Sequence, residues 1–396
     1  MWMKNLPPIG LEKFRKYLYY HGMVAVFEID GYATALVLAA FAASVIAYAF
    51  VSKHRTGIRS MGPYGNMLRK EFESCERRAP PTNERGIVIC AGGKTLMTCA
   101  FATVSMIRRV GCKLPVEIFY AGPDELGPGY VEAFSEFAGV RFVDAAAVVP
   151  YPCHEPKKLR GFAIKPYALL LTTFREALML DADCAPLRDP TFLFDCPEFK
   201  KYGNIFWPDY WVSSQLVRPV VAKEFGMPQI PSGFETESGQ VLVDTVRCGD
   251  ALKWTWILNN HEDVFYATYY GDKDLYRIGF KLARTPFYQV KHSPGMIGQE
   301  RGGRFVLDTM LQKTPRGNPL FAHRTMGKRL RDSLTWDLWN INKGEYGHRA
   351  TAVLSKKEHF VPIPDLEKHT HPTSRAIRKI ARCIQTDEDR FEHMTS

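Results

Sequence analysis

The sequence predicts an α/β protein: a mainly parallel sheet flanked by helices, with one N-terminal transmembrane helix. Three observations predict it. Residues 86–120 read as strand, tight turn, helix and strand; residues 176–183 run an apolar strand into two carboxylates; and Gly31 to Val51 carries no charged residue.

The uncharged run comes first in the chain. At about 1.5 Å per helical residue it spans roughly 30 Å, the thickness of a bilayer's hydrocarbon core. Its lack of a polar face and its abrupt stop at Lys53, His54 and Arg55 favour a membrane span over a buried helix. It starts too far along, and runs too long, for the apolar core of a cleavable signal. Lys13, Arg15 and Lys16 precede it while Lys53, Arg55 and Arg59 follow, so flanking charge does not orient it. Residues 1–30 are then a tail, 31–51 the anchor, and 52–85, with Gly57, Gly62, Pro63, Gly65, Pro80 and Pro81 among many charges, a stem.

A folded domain begins at Gly86. Ile87 to Cys90 reads as a buried strand, Ala91-Gly92-Gly93 as a tight turn, Thr95 to Val110 as a helix closed by Gly111, and Val116 to Tyr120 as a second strand. This succession implies parallel strands joined by a right-handed crossover. Ligands in such sheets collect at the carboxyl ends of strands, which puts Gly92, Gly93 and Lys94 in a candidate nucleotide cleft. Gly93-Lys94-Thr95 has the look of a P-loop tail, but that motif requires a glycine where Val88 stands, so it is excluded. Further strands are predicted at Val140–Val143, Asn204–Trp207 and Gln240–Asp244, with helices at Lys165–Phe174, 247–258 and 273–280. The domain extends to about 330; residues 331–396 form a C-terminal extension.

Asp181 and Asp183 share a direction along the end of an extended segment, because side chains in a strand alternate faces. Such paired hard oxygens suit Mn²⁺ or Mg²⁺. The rest of the composition narrows the field. With 46% apolar and 13% aromatic residues in 396, the chain is no disordered segment. Its net charge of +10 comes from scattered residues without an aromatic-interleaved basic motif, which argues against a nucleic-acid partner and leaves nucleoside diphosphates or an anionic membrane face. The nine cysteines form neither a C-x-x-C pair nor a zinc spacing.

Several stretches, in order, resemble the fungal-type Golgi α-mannosyltransferases, which add α-1,2- or α-1,3-linked mannose to glycans. They are residues 86–94 (Gly-Ile-Val-Ile-Cys-Ala-Gly-Gly-Lys), 111–118, Lys165-Pro166, 180–183 (Leu-Asp-Ala-Asp), 205–211 (Ile-Phe-Trp-Pro-Asp-Tyr-Trp), 237–244 (Glu-Ser-Gly-Gln-Val-Leu-Val-Asp), 271–274 and 321–324 (Phe-Ala-His-Arg). The resemblance implies a GT-A-type nucleotide-sugar-binding fold, a GDP-mannose donor, Mn²⁺, a glycan or glycoprotein acceptor, and a type II Golgi membrane protein with a lumenal catalytic domain.

Residue roles follow on that basis. Asp183 is the expected direct metal ligand, with Asp181 acting on the metal or the ribose hydroxyls; His323 is the third ligand by resemblance, with His292 its competitor. Glu237, Ser238 and Gln240 offer carboxylate, hydroxyl and amide to sugar hydroxyls, and Gly239 allows close backbone approach. Asp272 or Asp274 is expected beside the transferred sugar, and Lys273 or Lys165 near phosphate or sugar oxygens. Trp207, Tyr210 and Trp211 are read either as an acceptor wall or as core. Two other functions share some of these features. A haloacid-dehalogenase-like phosphatase also places Asp-x-Asp after a strand, but opens its domain with that motif and has Thr where this chain has Ala185. A catalytically silent, membrane-anchored glycan-binding scaffold would keep the fold without turnover.

Overall fold

The computed structural model describes residues 61–75, 81–147, 159, 161–213, 215–228, 230, 232–301, 304–325, 337–339, 360–362 and 372–396. The predicted anchor at 31–51 lies outside them. Among the described residues no helix is long and apolar enough to cross a membrane.

The first sheet contains β1 (Asn83–Cys90), β2 (Val116–Tyr120), β3 (Val140–Asp144), β4 (Phe174–Asp181), β6 (Asn204–Ser213) and β7 (Gly233–Asp244), in the order β3-β2-β1-β4-β7-β6. The strands β3, β2, β1 and β4 are mutually parallel, and β7 runs antiparallel to both β4 and β6. Ile87, Val88 and Ile89 of β1 and Ala177 to Leu180 of β4 are wholly buried, as unbroken apolar runs must be when helices cover both faces. On one face Ile87, Ile89 and Leu178 meet Phe101 and Val104 of α2 (Gly93–Arg109). On the other, Val88 and Met179 pack with Tyr167 of α3 (Ile164–Leu171), Trp256 of α4 (Gly249–Asn260) and Tyr276 of α5 (Lys273–Leu282).

A second, antiparallel sheet has the order β11-β8-β9-β10-β5, with β12 on β9. It comprises β5 (Cys184–Pro186), β8 (Gly295–Arg301), β9 (Arg304–Lys313), β10 (Pro319–His323), β11 (Asp337–Trp339) and β12 (Phe360–Pro362). Sequence reasoning did not predict this sheet, and it predicted β6 and β7 too short. Glu235, Glu237 and Ser238 break the apolar run of β7, and Pro208 interrupts β6 where its pairing with β7 shifts register. Proline is tolerated there because β6 is an edge strand.

Two helices lie outside the range predicted for the domain. Pro63–Ser74 (α1) falls in the segment read as stem, yet its glycines serve packing: Gly65 N donates to Glu224 Oε1 at 2.8 Å, and a Cβ on Gly62 would meet that carboxylate at 2.3 Å. Pro372–Met394 (α6) lies along α2, and its fully buried Phe391 ring sits 5.2 Å from Phe101, 5.3 Å from Tyr130 and 5.9 Å from Phe134.

The substitution Phe391→Ala should therefore cost about 3–5 kcal/mol of unfolding free energy, through lost burial and the cavity left behind. Urea unfolding with an unchanged m-value measures it; a loss below about 1 kcal/mol would place α6 outside the cooperative core.

Candidate active site

Asp181 ends β4 directly opposite Cys90 of β1, so the acid lies beside the Gly92-Gly93 turn that opens α2. Gly93 takes a φ of +67°, open to glycine, and a Cβ on Gly92 would overlap the Glu125 carboxylate at 2.2 Å. Lys94 is exposed at the same end. After Asp181 the chain turns through Ala182 and Asp183 and enters β5, leaving the first sheet for the second. Thr103 Oγ1 of α2 donates to the Ala182 carbonyl at 2.6 Å, and Arg324 N donates to the Asp183 carbonyl at 3.1 Å.

The pairing of β5 with β10 sets Cys184 opposite His323. The imidazole Nε2 is consequently 3.6 Å from Asp181 Oδ2 and 3.5 Å from Asp183 Oδ1, while Nδ1 is 3.5 Å from Glu237 Oε1. One ligand atom from each of Asp181, Asp183 and His323 lies within 4.8 Å of the others. His292 lies elsewhere, with its ring 3.0 Å from where a Cβ on Gly317 would be.

Gly239 also serves the protein itself: a Cβ there would lie 2.3 Å from the His323 ring, so the glycine makes room for the imidazole.

Negative charge predominates at this point. Burial pulls the His323 pKa down, but the hydrogen bond to Asp183 and the charges of Glu237, Asp183 and Asp181 outweigh it and raise the value to about 8. The main compensating cation is Lys165, whose Nζ lies 2.8 Å from Asp181 Oδ1, 3.3 Å from Ser238 Oγ and 3.8 Å from Asp272 Oδ2. Burial works against its charge, yet Asp181 and Asp272 raise its pKa above the ordinary lysine value. Asp272 accepts from Ser238 Oγ at 3.0 Å, and its carboxyl is pushed up to about 6, by burial first, with Lys165 opposing and Asp181 and Glu237 adding. Asp272 Oδ2, Gln240 Nε2 and the Tyr276 hydroxyl are buried without hydrogen-bond partners. Two carboxylates and an imidazole in surplus negative charge, beside polar atoms left unsatisfied, fit a divalent cation and an oxygen-rich ligand.

Lys273 and Asp274 belong to a neighbouring group. Lys273 Nζ donates to Asp209 and, at 2.9 Å, to Glu235 Oε2, so its charge is engaged within the protein and not free for phosphate. Asp274 Oδ1 accepts from Thr236 N at 3.1 Å. Asp209 and Glu235 were not picked out in the sequence. Asp209 lies within the 205–211 stretch, and the signal for Glu235 is its spacing from Glu237, two residues apart and so on one face of β7. Trp207 and Tyr210 fasten the two sheets from within the core, donating to the carbonyls of Lys313 and Gly295 at 2.8 and 2.7 Å.

A family model described as "Mannosyltransferase putative" matches residues 84–232 and 228–304. Alpha-1,2-mannosyltransferase MNN22 of Candida albicans is 24% identical over 305 residues, covering 63% of this chain and 51% of that protein. Alpha-1,2-mannosyltransferase MNN5 of Saccharomyces cerevisiae is 22% identical over 278 residues, covering 56% and 47%. The chain spans about half the length of these curated relatives. The mannosyltransferase Ktr4p from S. cerevisiae in complex with GDP superposes with a TM-score of 0.36 at 8% identity, over 58% of this chain and 80% of that one, too loose a likeness to argue from.

Gly239→Ala should displace the imidazole without unfolding the chain, weakening Mn²⁺ binding at least about tenfold by calorimetry. Unchanged affinity would mean that His323 stands off the cation. Asp274 gives a pH test. Its carboxyl is pushed up to about 7, by burial and then Glu235, against Lys273 and the Thr236 N–H. A carboxyl that holds its proton more tightly folded than unfolded makes the fold lose stability as pH rises from the ordinary carboxylate range to about 7. Asp274→Asn should flatten that decline in melting temperature, and a parallel decline in both proteins would contradict it.

Proposed function

The chain belongs to this family of mannosyltransferases, and from that premise we propose that it transfers mannose from GDP-mannose to a glycan or glycoprotein acceptor. The linkage formed is α-1,2 or α-1,3, with retention of configuration. The observation that carries the reading is the meeting of Asp181, Asp183 and His323 at the end of β4, beside the turn where a parallel sheet receives a nucleotide. The sheet order, with antiparallel β7 next to the last parallel strand, supports a GT-A-type fold.

Asp181, Asp183 and His323 would hold Mn²⁺ or Mg²⁺, which neutralises the diphosphate charge that grows as the sugar leaves. The remaining work falls to the chain itself. The Gly92-Gly93 turn and the first N–H groups of α2, with Lys94, face the anionic end of the donor. Lys165 holds Asp181 and Asp272 in place through its ion pairs, and adds positive charge beside the donor's oxygens. Gln240 Nε2 and Asp272 Oδ2, both without a hydrogen-bond partner, offer a donor and an acceptor to sugar hydroxyls. Glu237 Oε1 accepts from Gly239 N at 2.7 Å and Asp272 Oδ1 from Ser238 Oγ at 3.0 Å, and no single carboxylate stands out as a nucleophile. Retention then proceeds by attack on the departing group's own face, with the acceptor hydroxyl's proton passing to a phosphate oxygen of the leaving diphosphate.

The location we propose is the Golgi membrane, with residues 31–51 as a type II anchor and the catalytic domain lumenal. Cys75 is disulfide-bonded, which suits an oxidising compartment.

Asp183→Asn should lower Mn²⁺-dependent release of GDP from GDP-mannose at least about a hundredfold while leaving the melting temperature nearly unchanged. Full turnover in the variant, or in excess chelator, would sink the reading. Cleavage of p-nitrophenyl phosphate with no GDP release would point to a phosphatase instead.

A further inference from the structure

The C-terminal helix α6 packs against the residue that follows His323. Arg324 directly follows His323, is 1% exposed, and pairs through Nη1 with Glu388 Oε1 of α6, itself 2% exposed. The backbone N–H of the same arginine donates to the Asp183 carbonyl at 3.1 Å. One residue thus bonds to the loop that carries one candidate ligand, adjoins a second, and is tied to α6. The helix is held in turn by Arg109 of α2, which bonds Asp387 at 2.7 and 3.0 Å, and by Phe391 among the α2 aromatics. Thr103, also on α2, grips the Ala182 carbonyl from the other side.

We infer that α6 is a working part of the cation site, with Glu388 acting through Arg324 as a positioning residue for His323 and Asp183. The inference rests on the proposed metal-dependent reading. Both β10 and α6 lie beyond residue 304, where the match to the family model ends. A buried ion pair is a poor device for stability alone, since apolar residues of similar volume commonly do as well or better. What this pair does supply is a fixed direction. Were Glu388 neutral, the buried guanidinium would lose its ionic tie to α6, and the backbone next to His323 and the bond to Asp183 would lose that support.

The test uses the full chain in detergent, with Mn²⁺ affinity read by electron paramagnetic resonance and folding by thermal melts. Glu388→Gln should weaken Mn²⁺ at least about tenfold, the usual size of an outer-sphere effect. A double variant, Arg324→Met with Glu388→Leu, should melt at or above the wild-type temperature and still bind Mn²⁺ at least about tenfold more weakly, which separates positioning from bulk stability. The double variant decides the matter if Glu388→Gln fails to fold. Wild-type affinity in that folded double variant would overturn the inference. A wild-type chain that binds no Mn²⁺ at all would instead overturn the metal-dependent reading on which it stands.

Discussion

The chain crosses from one sheet to another of different construction at residues 181–184, and the candidate site lies at that crossing. Asp181 belongs to the last parallel strand of the first sheet, while Cys184 opens an edge strand of the second. A backbone changing sheets leaves carbonyls that no ladder satisfies, and these must find partners elsewhere. Thr103 and Arg324 N supply them at Ala182 and Asp183. The seam therefore fixes the two acids in space, and it requires α2, β10 and β5 to be in place together.

Electrostatics sets the second constraint. Asp183, Glu237 and Asp272 are each less than a tenth exposed, and buried carboxylates are tolerated only with compensating charge or hydrogen bonds. Lys165 compensates Asp181 and Asp272; His323 compensates Asp183 and Glu237 by holding its proton to about pH 8. A divalent cation held between the acids would answer the same surplus of negative charge as the proton on the imidazole, so the two would compete. The adjoining Asp209, Lys273 and Glu235 group is saturated in itself. Its role is to hold the start of α5 against β6 and β7, and so to hold Asp272 at its post beside Ser238.

Much of this was legible in the residues. The strand into Asp181, the glycine turn after β1, the crossover helix and the helix from 273 all have strong local signals: unbroken apolar runs, a glycine pair and helical periodicity. Less legible were elements whose pattern is bent by the site. β7 reads as polar because Glu235, Glu237 and Ser238 are satisfied by ion pairs and hydrogen bonds made with residues distant in sequence. Nothing in the neighbourhood of Gly239 announces that His323, far along the chain, needs its space. Lys273 and Lys165 were equal candidates for phosphate or sugar oxygens, because the acids that occupy Lys273 come from β6 and β7, distant in sequence.

By itself the sequence determined the parallel half of the first sheet, the position of Asp181 and Asp183 at a strand's carboxyl end, and the apolar run at 31–51. Each of these depends on residues close together in the chain, where periodicity and turn chemistry act directly. Tertiary structure alone decided that His323 and not His292 joins the acids, that Lys165 and not Lys273 pairs with Asp181, and that α6 is tied to Arg324, the residue after His323. Those outcomes depend on strand register and on the pairing of buried charges across tens to hundreds of residues, and local pattern carries no record of either.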